Sequence, residues 1–279
     1  MFSPVGFSPE NKGKPARVGI YQYPNHTTPI TSKSFYQAEE VTVRWSPSGE
    51  SAIVFTSTSL DTTGKSYYGS TGLHLLSADN SHEDCTVPLP KEGPVHDVQW
   101  CPNKTKDMFI VVSGNSPAQA ALYNGKKCEK TFLFGENPRN TIVWAPHGRF
   151  VALAGFGNLA GDIDFWDMNK KKKMGQVNAH GCAFPCWSDD SRKFMVSTCS
   201  PRMNVDNGFK VFKYNGVLVK DVRRDVLYEA KWKPEGKVEY PDRAQSPVRK
   251  GGEEVESAGA GAGIAAQAVG KYRPPGAYR

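Results

Sequence analysis

The side chains in this chain best suited to chemistry are cations. Residues 170–173 are four consecutive lysines (Lys170, Lys171, Lys172 and Lys173), and Arg223 and Arg224 lie one sequence repeat later. Such groups neutralise phosphates and release counterions. Four to six contacts would give a slope of about −4 to −5 in log affinity against log salt on duplex-like RNA, and a shallower one on single strands. A lysine run also suits a solvated turn that blunts a sheet edge. The formal net charge of +7 leans the same way, toward acidic partners such as RNA.

Other groupings fall short of a reaction. Gly64, Lys65 and Ser66 match the end of a phosphate-binding loop, but that pattern needs a glycine where Ser59 stands, and no helix follows. His96 and Asp97 adjoin, yet no nucleophile or oxyanion donor accompanies them. Cys182 and Cys186, with His180 nearby, have a tolerable zinc spacing but no second ligand pair. The six cysteines form no Cys-x2-Cys unit and read as free thiols of a reducing compartment. Phe132 and Phe134 could stack on bases but fit strand packing better. The sequons at Asn25 and Asn103 are idle, because residues 1–10 carry neither a basic nor an apolar leader segment. These residues predict no enzyme, no metal and no cofactor. No apolar run approaches the roughly 18 residues that cross a bilayer, so no membrane partner is expected.

The elements that must hold the cations come from a repeat. Five of the six tryptophans, Trp45, Trp100, Trp144, Trp187 and Trp232, occur in one local pattern, four of them followed two residues later by proline, at spacings of 55, 44, 43 and 45. A period in this range with tight turn residues marks propeller blades, whose sheets bury both faces only by stacking on neighbours. Around Trp144 the parse gives strands at 140–144, 150–155, 161–166 and 174–178, and the lysine run falls in the third hairpin. Third strands are predicted at 73–76, 120–123 and 209–214. No amphipathic helix is predicted before residue 235. The first repeat is longer, with a polar excess near 57–72 that carries Tyr67 and Tyr68.

The ends are irregular. Residues 17–23 and 34–37 read as third and fourth strands of a blade whose first two strands are absent, and 227–232 as a first strand without successors. The expected class is all-β, a partial WD40-like β-propeller of four complete four-stranded blades plus edge strands. Its expected limits are a disordered segment at 1–15, propeller at 16–233, and a disordered Gly/Ala-rich tail at 234–279.

Several strings go beyond generic propeller character: 21–25 (Tyr-Gln-Tyr-Pro-Asn), 64–69, 89–94, 138–140 (Pro-Arg-Asn), 153–159 (Leu-Ala-Gly-Phe-Gly-Asn-Leu), 202–214 and 272–275 (Tyr-Arg-Pro-Pro). In these the chain resembles the eukaryotic translation initiation factor 2A family. The resemblance implies a large propeller followed by a charged helical region, of which this chain carries the later blades without the lysine-rich tail. It also implies a cytoplasmic, non-enzymatic scaffold that binds the small ribosomal subunit and assists delivery of initiator methionyl-tRNA. Messenger RNA and other initiation factors are further expected partners. On this reading Lys170, Lys171, Lys172, Lys173, Arg223 and Arg224 contact ribosomal RNA as one basic rim patch. The alternatives are a generic WD-repeat protein scaffold, docking through loop aromatics such as Tyr67 and Tyr68, and a relative of the propeller found in initiation factor 3.

Overall fold

The computed structural model describes residues 3–11, 13–36, 38–58, 69, 71–235 and 240–247. Among these there is no helix, and the strands form five antiparallel sheets. Blade 1 has three strands, β1 (Val5–Ser8), β2 (Ala16–Ile20) and β3 (Thr31–Phe35). The other four blades each have four strands in up-and-down order. Blade 2 is β4 (Glu40–Trp45), β5 (Ser51–Ser57), β6 (Thr71–Ser77) and β7 (Cys85–Thr86). Blade 3 is β8 (Val95–Trp100), β9 (Met108–Ser113), β10 (Ala118–Asn124) and β11 (Lys130–Asn137). Blade 4 is β12 (Thr141–Trp144), β13 (Phe150–Ala154), β14 (Asp162–Asp167) and β15 (Lys172–Asn178). Blade 5 is β16 (Cys186–Trp187), β17 (Lys193–Thr198), β18 (Gly208–Lys213) and β19 (Leu218–Arg223). The four complete blades and the all-β class match the sequence reading.

In the four complete blades the middle of each second strand is apolar because both of its faces are buried. In β5, Ile53 packs toward blade 3 with Leu73 and Leu75, while Ala52 and Val54 pack toward blade 1 with Leu76. The same period of two sends Phe109 and Val111 to blade 2 and Ile110 and Val112 to blade 4. Phe150, Ala152, Ile163 and Phe165 meet Trp187, Phe194 and Val196 between blades 4 and 5. The four core clusters are therefore interfaces between consecutive sheets, and among the described residues none of them joins the first sheet to the last.

The repeated tryptophans staple these interfaces. Trp100 Nε1 donates to the Arg44 carbonyl at 2.9 Å, Trp144 to Gln99 at 3.3 Å, Trp187 to Val143 at 2.9 Å and Trp232 to Cys186 at 3.3 Å. Each acceptor is the residue just before the preceding repeat's tryptophan. The turn after the tryptophan is also repeated. Gly49 N–H donates to Ser46 and Gly148 N–H to Ala145, with Gly49 and Gly148 at φ +78° and +65°. Proline at Pro47 and Pro146 presets the first corner, and the left-handed residue closes the hairpin. In the Trp187 repeat, which lacks the proline, Ser191 takes this position at φ 58°.

The two ends differ from expectation. Val5–Ser8, inside the segment expected to be disordered, is a strand paired with β2, so blade 1 has three strands among the described residues where two were expected. Its signal was weak because Gly6 faces Gly19 across the pair, and the Tyr21 ring covers both. Residues 227–232, expected to be a strand, join no ladder. Instead the Leu227 N–H donates to Asn207 Oδ1, and the Leu227 carbonyl accepts from Ser200 N. Part of the expected disordered tail is engaged as well. His147 Nε2 meets the Tyr240 carbonyl at 2.6 Å, and Asp242 lies 3.7 Å from Arg149. The compact unit runs to Asp242, and a second begins at Arg243. Residues 64–66, Tyr67, Tyr68 and 248–279 lie outside the described residues.

Two measurements test this packing. Trp187→Phe keeps an aromatic ring but removes the donor to Val143, and is expected to cost about 1–2 kcal/mol. The denaturant midpoint should fall with an unchanged slope. At the junction of blades 1 and 2, His74 packs on Phe35 with ring centroids 4.7 Å apart. Burial, aided by the nearby Lys33 charge, lowers its pKa from 6.5 to about 4. Because the unfolded imidazole binds its proton first, stability is full above 6.5 and is lost as pH falls from there toward 4. His74→Gln should lose less stability than the natural chain between pH 7 and pH 5, as read by thermal melts.

Candidate nucleic-acid interface

Antiparallel blades have two ends. One carries the first and third hairpins of each blade; the other carries the second connections and the links to the next blade. Lys170 and Lys171 occupy the β14–β15 turn, and Lys172 and Lys173 open β15. The turn is built by Asp167, whose carboxylate accepts from the Asn169 and Lys170 N–H groups, with Lys171 at φ 49°. Lys170, Lys171 and Lys172 are exposed and form no ion pair among the described residues.

Lys173 differs from its neighbours. Its ammonium lies 2.7 Å from Asp164 Oδ1, in a buried cluster where Arg139 (2% exposed) approaches Asp164 Oδ2 at 3.2 Å and Asn137 donates to the same oxygen at 2.7 Å. Burial pulls the Arg139 pKa down, against the Asp164 charge that supports it. Lys173 is thus a structural counter-ion for Asp164.

Arg223 and Arg224 stand apart from the lysines. Arg223 pairs with Gly208, the first residue of its blade's third strand, as Asn178 pairs with Asp162 in blade 4. Lys172 instead pairs with Asp167, the last residue of that strand. Six residues of outer strand separate the two positions, roughly 20 Å. The lysines lie at the hairpin end and the arginines at the opposite end, so the single rim patch expected from sequence is not formed.

The structure joins the lysine turn to other cations. Lys106 Nζ donates to Asn169 Oδ1 at 2.9 Å, which ties the first hairpin of blade 3 to the third hairpin of blade 4. Lys171 Nζ lies 6.0 Å from the Phe132 ring on β11. Lys104 is on that first hairpin of blade 3, Lys127 is in the β10–β11 turn and Lys130 opens β11; all three are exposed without an ion pair among the described residues. Lys126 is committed to Glu50 at 3.0 Å. Sequence reasoning missed Lys104, Lys127 and Lys130, although Lys126-Lys127 holds the same hairpin position one repeat before Lys170-Lys171.

The remaining candidates are structural. Phe132 and Phe134 pack edge-on against each other and Trp166, at 5.0, 5.8 and 5.1 Å. His96 Nε2 meets the Gly114 carbonyl at 2.8 Å. Asp97 accepts from the Ile142 N–H of the next blade at 2.9 Å and from Gln99, and burial raises its pKa against these hydrogen bonds and Arg44. Cys182 is buried beside Thr198, and Cys186 is raised by burial. Among the described residues no three His, Cys, Asp or Glu side chains converge as a metal site.

The opposite end is shaped by the most specific strings. Asn140 grips both backbone groups of Phe156, donating to its carbonyl at 2.8 Å and accepting from its N–H at 3.0 Å. A Cβ at Gly155 would collide with the Pro138 carbonyl, so the 138–140 and 153–159 strings are two halves of one contact. A family model described as "Eukaryotic translation initiation factor eIF2A" matches residues 33–230.

The chain belongs to that family. Its similarity to the family's Dictyostelium discoideum member, eukaryotic translation initiation factor 2A, is 42% identity over 236 residues, 85% of this chain and 38% of that protein. A solved structure titled "Crystal structure of the eukaryotic initiation factor" superposes with TM-score 0.72 at 33% identity, covering 84% of this chain and 55% of the other. A component of eukaryotic translation initiation factor 3 from Bombyx mori is more distant, at 22% identity over 250 residues, covering 86% of this chain and 35% of that protein. The chain thus spans well under half the length of the family member it matches. No helix among the described residues is long and apolar enough to cross a membrane. Within the family's propeller, the Arg139–Asp164 pair is a fixed internal charge. Asp164→Ala strands the buried guanidinium and is expected to cost about 3–5 kcal/mol by chemical denaturation. The exposed Lys172→Ala should cost less than about 0.5 kcal/mol.

Proposed function

We propose that this chain is the propeller part of a translation initiation factor that docks on the small ribosomal subunit through its hairpin-end lysines. In this reading it is a non-enzymatic cytoplasmic scaffold that assists delivery of initiator methionyl-tRNA, with messenger RNA and other initiation factors as neighbours. Family membership supports the initiation role. The observation that carries the docking surface is the set of six exposed lysines on adjoining hairpins of blades 3 and 4: Lys104, Lys127, Lys130, Lys170, Lys171 and Lys172. The hairpins of blade 2 at the same end are acidic, with Glu50, Asp79, Glu83 and Asp84, whereas on blade 5 Asp189 and Asp190 are offset by Arg192, Lys193 and Lys213. Positive charge is therefore concentrated where two hairpins meet, a geometry that suits a phosphate backbone. Lys173 serves the fold, and Arg223 and Arg224 face the other way.

Co-sedimentation of the chain with small ribosomal subunits, at low and moderate salt, tests the reading. Binding should weaken with a log–log salt slope of about −4 to −5. Serine at the six lysines should reduce binding and flatten the slope, while Arg223→Ser with Arg224→Ser should leave the slope unchanged. Salt-insensitive binding of a folded chain, or a slope that survives the six substitutions, would instead favour a protein-docking scaffold.

A further inference from the structure

The outer strand of blade 2 and the last hairpin of blade 3 bring two thiols together. Cys85 is on β7, opposite Leu75 of β6, and Cys128 is in the β10–β11 hairpin, where its N–H donates to the Asn124 carbonyl. Both pack in the core cluster shared by these blades. The approach is fixed independently by the Tyr123 hydroxyl, which donates to the Pro88 carbonyl just beyond β7. Cys128 is held at φ 57°. The two thiols lie close enough to interact with one another, and Cys85 is half-buried while Cys128 is buried.

We propose that Cys85 and Cys128 are a redox modification site, oxidised by hydroperoxides to a disulfide that clamps blade 2 to blade 3. Cys85 is suited to attack first. The hydrogen bond from Cys128 chiefly, aided by the Lys33 charge, holds its thiol below the usual range against burial and Asp84. Cys128 is raised by its bond to Cys85 and by burial, so it remains a thiol. The other cysteines lack this arrangement. Cys101, Cys182 and Cys199 are buried, and half-buried Cys186 is raised by burial. Thiolate character and access together select the oxidised residue.

The chemistry balances. The Cys85 thiolate attacks the O–O bond, gains a hydroxyl as a sulfenic acid and releases hydroxide, which leaves as water once protonated. The Cys128 sulfur then gives up its proton and attacks the Cys85 sulfur. The S–S bond forms, the S–O bond breaks, and the hydroxyl departs as water. Two thiols are oxidised by two electrons, and one peroxide is reduced to two waters.

The experiment uses the reduced natural chain, stoichiometric hydrogen peroxide, rapid alkylation and peptide mapping. The expected product is a cross-linked peptide pair containing Cys85 and Cys128, formed at least tenfold faster than any modification of Cys186. In Cys128→Ser, a sulfenic-acid-trapping dione should label Cys85 ahead of all other cysteines. If Cys186 keeps pace with Cys85, or if Cys85 is oxidised while Cys128 stays alkylatable in the natural chain, the proposal is overturned. The natural-chain time course decides this even where the serine variant folds poorly, and it is independent of ribosome binding.

Discussion

Each sheet here has two apolar faces and cannot exist alone, so everything rests on the commitment of one sheet to the next. The indole staple makes that commitment directional. In Trp100, Trp144, Trp187 and Trp232 the indole N–H reaches back to the main-chain carbonyl just before the preceding repeat's tryptophan, satisfying a polar group at the seam. The apolar clusters supply most of the stabilisation, but they are tolerant of small slides. A hydrogen bond to one named carbonyl is not, and it sets the register in which Ile53, Phe109, Ile110 and Phe150 find their partners.

Polar side chains extend the same logic across blades. Asp97 belongs to blade 3 yet accepts from the Ile142 N–H of β12 in blade 4, while Arg44 approaches it from blade 2 at 3.6 Å. His147 in blade 4 touches Ser191 in blade 5 at 2.6 Å. Arg139, on the link between blades 3 and 4, is answered by Asp164, whose other carboxylate oxygen is held by Lys173. A buried ion pair adds little net stability over an apolar substitute. Its value here is positional, because the link from one blade to the next must turn sharply and Arg139 pins it.

The architecture was legible because a period of tryptophans, a Pro-Gly turn and apolar second strands all point to one repeating sheet. What was not legible has physical reasons. The β1 strand has glycine where a side chain would announce it, and the cover comes from Tyr21, outside the strand. The placement of Arg223 and Arg224 failed on strand direction: "near the fourth strand" names two places about 20 Å apart. Residues 170–173 read as one charge, yet alternation along β15 sends Lys173 inward to Asp164. Lys104, Lys127 and Lys130 are scattered singles in sequence and neighbours only once adjoining hairpins are stacked. The pairing of Cys85 with Cys128 likewise needs two blades to be seen.

The staple also has an evolutionary consequence. A segment running from one inner-strand tryptophan to the next carries both halves of the joint, an indole that grips backward and a carbonyl that will be gripped. Duplicating such a segment inserts a matched plug and socket at once, and deleting one heals the joint across the gap. Blade number can therefore drift in either direction without any side chain having to be reinvented. Such an array can lengthen or shorten while the exposed hairpin positions, outside the indole joint, diverge freely in charge.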